Sequence, residues 1–173
     1  MPRISADVIY MQIAYQVSKL SYAERRKVGC IIVKDEQIIS VGYNGTPHGF
    51  NNTCEEVKTE TVYYENPDIA MDLIEEHGFD CDSGCCTKET SSTKQEVLHA
   101  ESNALMKIAK STLTSKEAVL YTTTSPCFEC AKLIIQSGVK KVFYCESYRD
   151  MSGITLLEKA GIIVEQVIVW NEH

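Results

Sequence analysis

The chain contains no run of about 18 apolar residues, so no segment of it is long enough to cross a bilayer as a helix. Residues 1–20 offer no leader-like apolar stretch either, because Arg3, Asp7, Gln12 and Gln16 interrupt them. The expectation is a protein that stays where it is made and has no membrane partner. Basic residues are also in short supply: 17 Lys and Arg stand against 24 Asp and Glu, a net charge of −7. Polymeric nucleic acid is held through many phosphate contacts, so an acidic chain with no long basic stripe argues against a DNA or RNA strand as ligand. A small anion needs only a local cationic pocket, and Arg25-Arg26-Lys27, Lys110 or Arg149 offers one. No internal repeat is present.

What is there reads as one domain, residues 1–173, with an elaborating insertion at about 54–95. Ile9, Ile13, Val17 and Leu20 recur at helical spacing behind Ser5, a good N-cap. Apolar runs at 28–34 and 37–43 read as a hairpin turning at Lys34-Asp35-Glu36. A helix starts near His99. Strand 118–122, helix 127–137, strand 141–145, a helix at 154–160 stopped by Gly161, and strand 162–170 follow. Five strands with helices between the last three predict an α/β fold, a three-layer α-β-α sandwich around a five-stranded mixed sheet. Between hairpin and His99 the segment 45–98 has another character, with a possible short helix at 67–77 and a polar stretch at 87–94. Of the eight cysteines, Cys30 and Cys145 lie in apolar strand-like runs and read as small buried residues. The set as a whole favours thiols in a reducing cytoplasm over disulfides.

Two short runs carry the chemistry: His99-Ala100-Glu101 and Pro126-Cys127-Phe128-Glu129-Cys130. Together they match the H-x-E and P-C-x-x-C pattern of zinc-dependent nucleobase deaminases. His99, Cys127 and Cys130 supply three zinc ligands and leave the fourth position open, as hydrolytic zinc sites do. Two thiolates and an imidazole cancel the metal's formal charge, so a nearby proton acceptor is needed, and Glu101 is that group. Cys127 and Cys130 would share a helix face, with Pro126 in the first turn and the helix N-terminus favouring thiolate. His99 and Glu101, two apart, are expected at a helix start, one reaching the metal and the other the substrate. A closed structural zinc site, a redox Cys127/Cys130 pair, and a zinc-stabilised nucleotide sensor are the competing readings; each leaves Glu101 without a task.

Beyond these motifs the chain carries Gly42-Tyr43-Asn44-Gly45-Thr46-Pro47, Asn103 in the run H-A-E-S-N-A, Cys130-Ala131-Lys132, Ser137-Gly138-Val139-Lys140-Lys141 and Tyr144-Cys145-Glu146-Ser147-Tyr148. On these residues it resembles the deoxycytidylate deaminases of the cytidine deaminase superfamily, phage members above all. The resemblance excludes much of 54–95. It implies hydrolysis of dCMP to dUMP with release of ammonia, supplying thymidylate synthesis, with zinc on His99, Cys127 and Cys130 and Glu101 as proton shuttle. It further implies that Asn44 binds sugar or base, that the backbone of Ala100 meets the base carbonyl and that near Ser125 the leaving amine, and that Tyr148 lines the nucleotide pocket; Arg26 is the phosphate candidate. A homohexamer activated by dCTP with Mg2+ and inhibited by dTTP is the family expectation, with Lys110 and Gly45 as effector contacts. Other superfamily members acting on free cytidine, guanine or a tRNA adenosine are the near rivals.

Two departures from the family pattern stand out. Lys110 takes a place where phage members carry an arginine, keeping the charge and losing the bidentate fork. Phage members can also hold a second, structural zinc, yet here 89–98 has no His and 20–27 has no Cys. Cys54, Cys81, Cys85, Cys86 and His77 remain, either as ligands of a second zinc or as free thiols.

Overall fold

The computed structural model describes residues 4–64, 66–82 and 84–169. In chain order the elements are α1 (Ala6–Ser18), β1 (Gly29–Lys34), β2 (Gln37–Tyr43), β3 (Glu55–Tyr63), α2 (Pro67–His77), β4 (Asp80–Asp82) and β5 (Cys85–Thr93). They continue with α3 (Ala100–Ala109), β6 (Val119–Thr124), α4 (Phe128–Gln136), β7 (Lys141–Glu146), α5 (Ser152–Lys159) and β8 (Ile163–Gln166). These group into two compact units, one combining the chain up to Thr53 with the chain from Glu96, the other Cys54–Gln95. No helix among the described residues is long and apolar enough to cross a membrane.

The larger unit is built on a five-stranded sheet in the order β2-β1-β6-β7-β8. β1 pairs antiparallel with β2 and β6, while β6, β7 and β8 run parallel. This is the mixed sheet expected. Alternation along the strands divides its core in two. Ile31, Val33, Tyr121 and Phe143 face α1 through Met11 and Ala14. Ile32, Leu120 and Val142 pack with Ala104, Ile108, Ile134 and Leu157 of α3, α4 and α5. The resulting layers are those of an α-β-α sandwich.

Local chemistry explains the joints. Ser5 caps α1 by accepting the Asp7 N–H at 3.2 Å. Asp35 and Glu36 both take positive φ, 49° and 61°, the conformation that a two-residue hairpin turn requires. The closing strand ends at Gln166, short of the 162–170 expected, and Trp170 lies outside the described residues. Cys30 is fully buried, whereas Cys145 is half-buried and corrects the expectation for that position.

α3 carries two residues of the motif, and β2 fixes where it lies. Asn103 Nδ2 donates to the Tyr43 carbonyl at 2.8 Å, Ser40 Oγ to Ala104 O at 2.7 Å, and Lys107 Nζ to Val41 O at 2.8 Å. The backbones approach so closely that a Cβ on Gly42 would stand 2.1 Å from Ala100 O and 2.6 Å from Ala104 N. No side-chain adjustment relieves a clash with backbone. Gly42→Ala should therefore push the first turn of α3 off the sheet and destabilise the protein by on the order of 3 kcal/mol. Denaturant unfolding beside metal analysis checks it: an unchanged midpoint with full metal retention would refute the close-approach argument.

The smaller unit is a three-stranded antiparallel sheet, order β3-β5-β4, with α2. Its core is small: Ala70, Phe79 and Cys86, with Val62, Tyr64, Leu73 and Cys81 around them. α2 starts at the N-cap Asn66 and ends at Gly78 in the left-handed conformation, as its residues predict. The strands were not expected. β3 and the polar stretch now seen as β5 show mostly exposed side chains, so they lack the apolar alternation that betrays a strand; their Thr and Val content was the available signal.

The cysteines of this unit are also rearranged relative to expectation. Cys81 and Cys86 face each other across β4 and β5, with Cα atoms 3.9 Å apart, and form a disulfide. The reading of these two as reduced thiols or zinc ligands is corrected: the hairpin through Gly84 makes them cross-strand partners. Glu55 pairs with Thr93 and Tyr63 with Cys85, so Cys54 lies a whole strand, roughly 30 Å, from Cys85. Those cysteines therefore do not converge on one ion, and among the described residues the single metal-capable His/Cys/Asp/Glu group lies elsewhere.

Candidate active site

His99 and Cys127 occupy equivalent places, each the N-cap of its helix, α3 and α4, with extended backbone and no side-chain capping bond. Their ligand atoms are thus free of the task an N-cap side chain usually performs. Cys130 lies in the first turn of α4 and is buried. Pro126 is not in that turn, as expected, but just before the N-cap, where it closes the approach from β6. α5 backs this corner: a Cβ on Gly153 would stand 2.1 Å from Pro126 O.

The three donors converge. His99 Nδ1 is 3.4 Å from Cys127 Sγ and 3.4 Å from Cys130 Sγ, and all three ligand atoms lie within 4.8 Å of one another. Around a tetrahedral zinc, with Zn–S and Zn–N bonds of about 2.3 and 2.05 Å, an N···S separation of about 3.6 Å is required. The donor set fits the ion. Its protonation chemistry points the same way. The Cys127 thiol is lowered to about 3, chiefly by the hydrogen bond it receives from Cys130 and also by His99, with burial opposing. Cys130, as that donor and buried beside Glu101, is pushed well up. His99 is raised, above all by its hydrogen bond to Cys127. The pair favours a thiolate on one sulfur, and a metal cation would release the other's proton.

Glu101 is 4% exposed, two residues after His99 in the first turn of α3. Burial raises its carboxyl above the ordinary range, while its own backbone N–H, His99 and Cys130 pull in the other direction. Thr122 Oγ1, from the end of β6, lies 3.3 Å from Glu101 Oε1. A buried carboxyl is thus walled in beside the three donors.

The other expected site residues are distributed unevenly. Ala100 is fully buried in the first turn of α3, where backbone N–H groups have no intrahelical partner. Gly45 pairs with Leu98 through hydrogen bonds of 3.1 and 2.9 Å, which sets Asn44 beside the segment leading to His99. Asn44 does not take the left-handed turn conformation. Its amide is spent on the chain: Oδ1 accepts the Val28 N–H and Nδ2 donates to Arg26 O, both at 2.8 Å, leaving one N–H for a ligand. Ser125 N–H donates to Glu146 O at 2.8 Å, and its Oγ accepts the Tyr148 N–H at 2.8 Å. Tyr148 is 39% exposed beside that corner, so it is no core aromatic. Arg26 forms an ion pair with Glu146 at 2.6 Å, and Glu146 is held in turn by Tyr15 Oη at 3.1 Å. Lys110 is the exposed C-cap of α3, about 15 Å along the helix from His99, and is not brought to the donor cluster.

Sequence reasoning missed Thr122, Glu146 and Tyr15. The run Thr122-Thr123-Thr124-Ser125 directly before Pro126 was the visible signal, since four consecutive buried hydroxyl residues need partners.

With this geometry in hand, comparison with known proteins is informative. Residues 4–146 match the family described as the cytidine and deoxycytidylate deaminase zinc-binding region. Deoxycytidylate deaminase of Enterobacteria phage T4 is 38% identical over 170 residues, covering 91% of this chain and 87% of that protein. The human deoxycytidylate deaminase is 29% identical over 171 residues, covering 92% and 78% respectively. Among solved structures, dCMP deaminase of cyanophage S-TIM5 in complex with dCMP and dUMP superposes with a TM-score of 0.71 at 36% identity, covering 95% of this chain and 100% of that one.

Proposed function

The chain belongs to the cytidine and deoxycytidylate deaminase family, and from that premise we propose that it is the hydrolase converting dCMP and water to dUMP and ammonia. The observation that carries the reading is the buried Glu101 carboxyl beside the convergent His99, Cys127 and Cys130. The names of the relatives and the dCMP and dUMP bound in the S-TIM5 enzyme support the choice of substrate.

A zinc ion held by His99 Nδ1 and the two sulfurs supplies the Lewis acidity that makes water a nucleophile near neutral pH. The remaining work belongs to the chain. Glu101 takes the first proton from the attacking water and passes it to N3 of the cytosine ring, then takes the second from the new C4 hydroxyl and gives it to the C4 amine as the C–N bond breaks and the C4 carbonyl forms. Its burial suits this: desolvation raises the carboxyl above the usual carboxylate range and so makes it a better proton acceptor. The Ala100 N–H in the first turn of α3 is offered to the base carbonyl. The Ser125 N–H is committed to Glu146, so it is the Ser125 carbonyl that remains to receive the amine. Tyr148 stands at the mouth, and the one unspent N–H of Asn44 reaches the sugar or base.

Arg26 is the cation for the 5′-phosphate. Asn44 clamps the backbone on both sides of Lys27 and Glu146 takes one edge of the guanidinium, leaving the other N–H donors for a phosphate. Activation by dCTP with Mg2+, inhibition by dTTP and a homohexamer belong to the same proposal. The position of Lys110, exposed and remote from the donor cluster, supports an effector contact over a substrate contact.

Loss of cytosine absorbance on mixing the zinc-loaded protein with dCMP, deoxycytidine or dCTP, each with and without dCTP-Mg2+ as activator, tests the reading. Turnover of dCMP in large excess over deoxycytidine, raised by dCTP, is expected. Equal rates on nucleoside and monophosphate would defeat the phosphate role of Arg26; no turnover of any of them would defeat the reading as a whole.

A further inference from the structure

The hydroxyl run that ends β6 is put to several uses. Thr123 Oγ1 accepts the Gly29 N–H at 3.1 Å and joins β6 to β1; Ser125 Oγ accepts the Tyr148 N–H at 2.8 Å and joins it to the loop after β7. Thr122 does something else. Its Oγ1 lies 3.3 Å from Glu101 Oε1 and 3.0 Å from the Thr124 carbonyl. A hydroxyl has one proton, so it donates to one of these two acceptors at a time. Thr122 is fully buried and Glu101 nearly so.

We propose that Thr122 is a positioning residue for the deamination: it holds Oε1 of Glu101 and thereby makes Oε2 the oxygen that meets the reacting atoms. The inference rests on the reading of Glu101 as the proton shuttle. The terminal torsion of a glutamate is broad and nearly two-fold, so without a partner its two oxygens interchange and the carboxylate plane wanders. A proton shuttle works only within a narrow range of distance and angle. The hydroxyl of a β-branched residue on a central strand supplies a fixed point, because its χ1 is restricted and its strand is paired on both sides. The second acceptor removes a penalty. The Thr122 proton has both Oε1 of Glu101 and the Thr124 carbonyl within reach, so the buried donor is never left unsatisfied, which would cost about 1–3 kcal/mol.

Thr122→Ala and Thr122→Ser test this, since both lack the methyl group and differ from each other by a single oxygen. Zinc content, kcat and KM for dCMP are measured in each and in the wild type. The alanine variant is expected to keep its zinc and its KM while kcat falls by about 10- to 100-fold; the serine variant should stay within about 3-fold of the wild type. In a Glu101→Gln background, the alanine change should lower kcat no further, because the two residues act as one unit. Equal kcat for alanine and serine variants would overturn the proposal, as would loss of zinc on alanine substitution or a full additional fall in the Glu101→Gln background. Should alanine not fold, Thr122→Val keeps the volume, lacks only the hydroxyl and takes its place. Absence of dCMP turnover in the zinc-loaded wild type overturns the proposed activity together with this inference, and is seen before any variant is made.

Discussion

Glu101→Gln should leave the fold and the zinc in place and lower dCMP turnover by about three to four orders of magnitude. Glutamine has the shape of glutamate, so the buried space is filled and Thr122 keeps a partner on the amide oxygen. What is lost is the capacity to take up and release a proton, twice per turnover in the proposed reaction. Metal retention should not suffer. The negative charge of Glu101 is one of the influences that raise Cys130, so a neutral side chain makes that thiol easier to ionise toward a metal. Zinc analysis beside rapid-mixing absorbance at the cytosine band checks both halves. A variant with full zinc and a near-normal rate would remove Glu101 from the chemistry; one that loses zinc would show that the carboxyl serves the metal site.

Removal of the metal is the second large effect. A strong chelator should abolish turnover, and added zinc should restore it at close to one ion per chain. The stoichiometry follows from geometry: among the described residues one donor group converges, while Cys81 and Cys86 are joined to each other and Cys54 lies a strand's length from Cys85. A restored ratio of two would reinstate a second zinc. The two main clusters of buried apolar residues hold the larger unit together without help from His99 or Cys127. Far-UV circular dichroism should therefore change little on chelation, in contrast to small zinc domains that unfold when stripped. Wholesale loss of secondary structure would contradict that division between core and site.

Much of the site was legible because its residues are close in sequence. H-x-E and C-x-x-C each place their groups within one helical turn, and the N-terminus of a helix is a position that sequence can announce. Even so, Pro126 and Cys127 sit one step earlier than expected, outside the helix rather than within it, because the chain uses Cys127 itself as the N-cap. The amphipathic elements of the larger unit were legible for the same reason that they fold: apolar residues recur at the period of the element they form. β3 and β5 broke that link. Their side chains face solvent over most of their length, so pairing with each other, not burial, makes them strands.

The sequence by itself determined which residues form the candidate site, since a His, two Cys and a Glu at these spacings point to a metal and a neighbouring acid whatever the surrounding fold. It also determined the layered mixed sheet, through periodicity and through the glycines that end its helices. Only the tertiary structure decided which groups serve these four. Thr122 meets Glu101 because β6 ends beside the start of α3; Glu146 meets Arg26 and Tyr15, which lie 120 and 131 positions away in the chain. Asn44 is turned from a free ligand into a clamp on the loop it faces. Such partnerships depend on strand order and register, and hydrogen bonds between residues distant in the chain leave no periodic mark in the sequence that makes them.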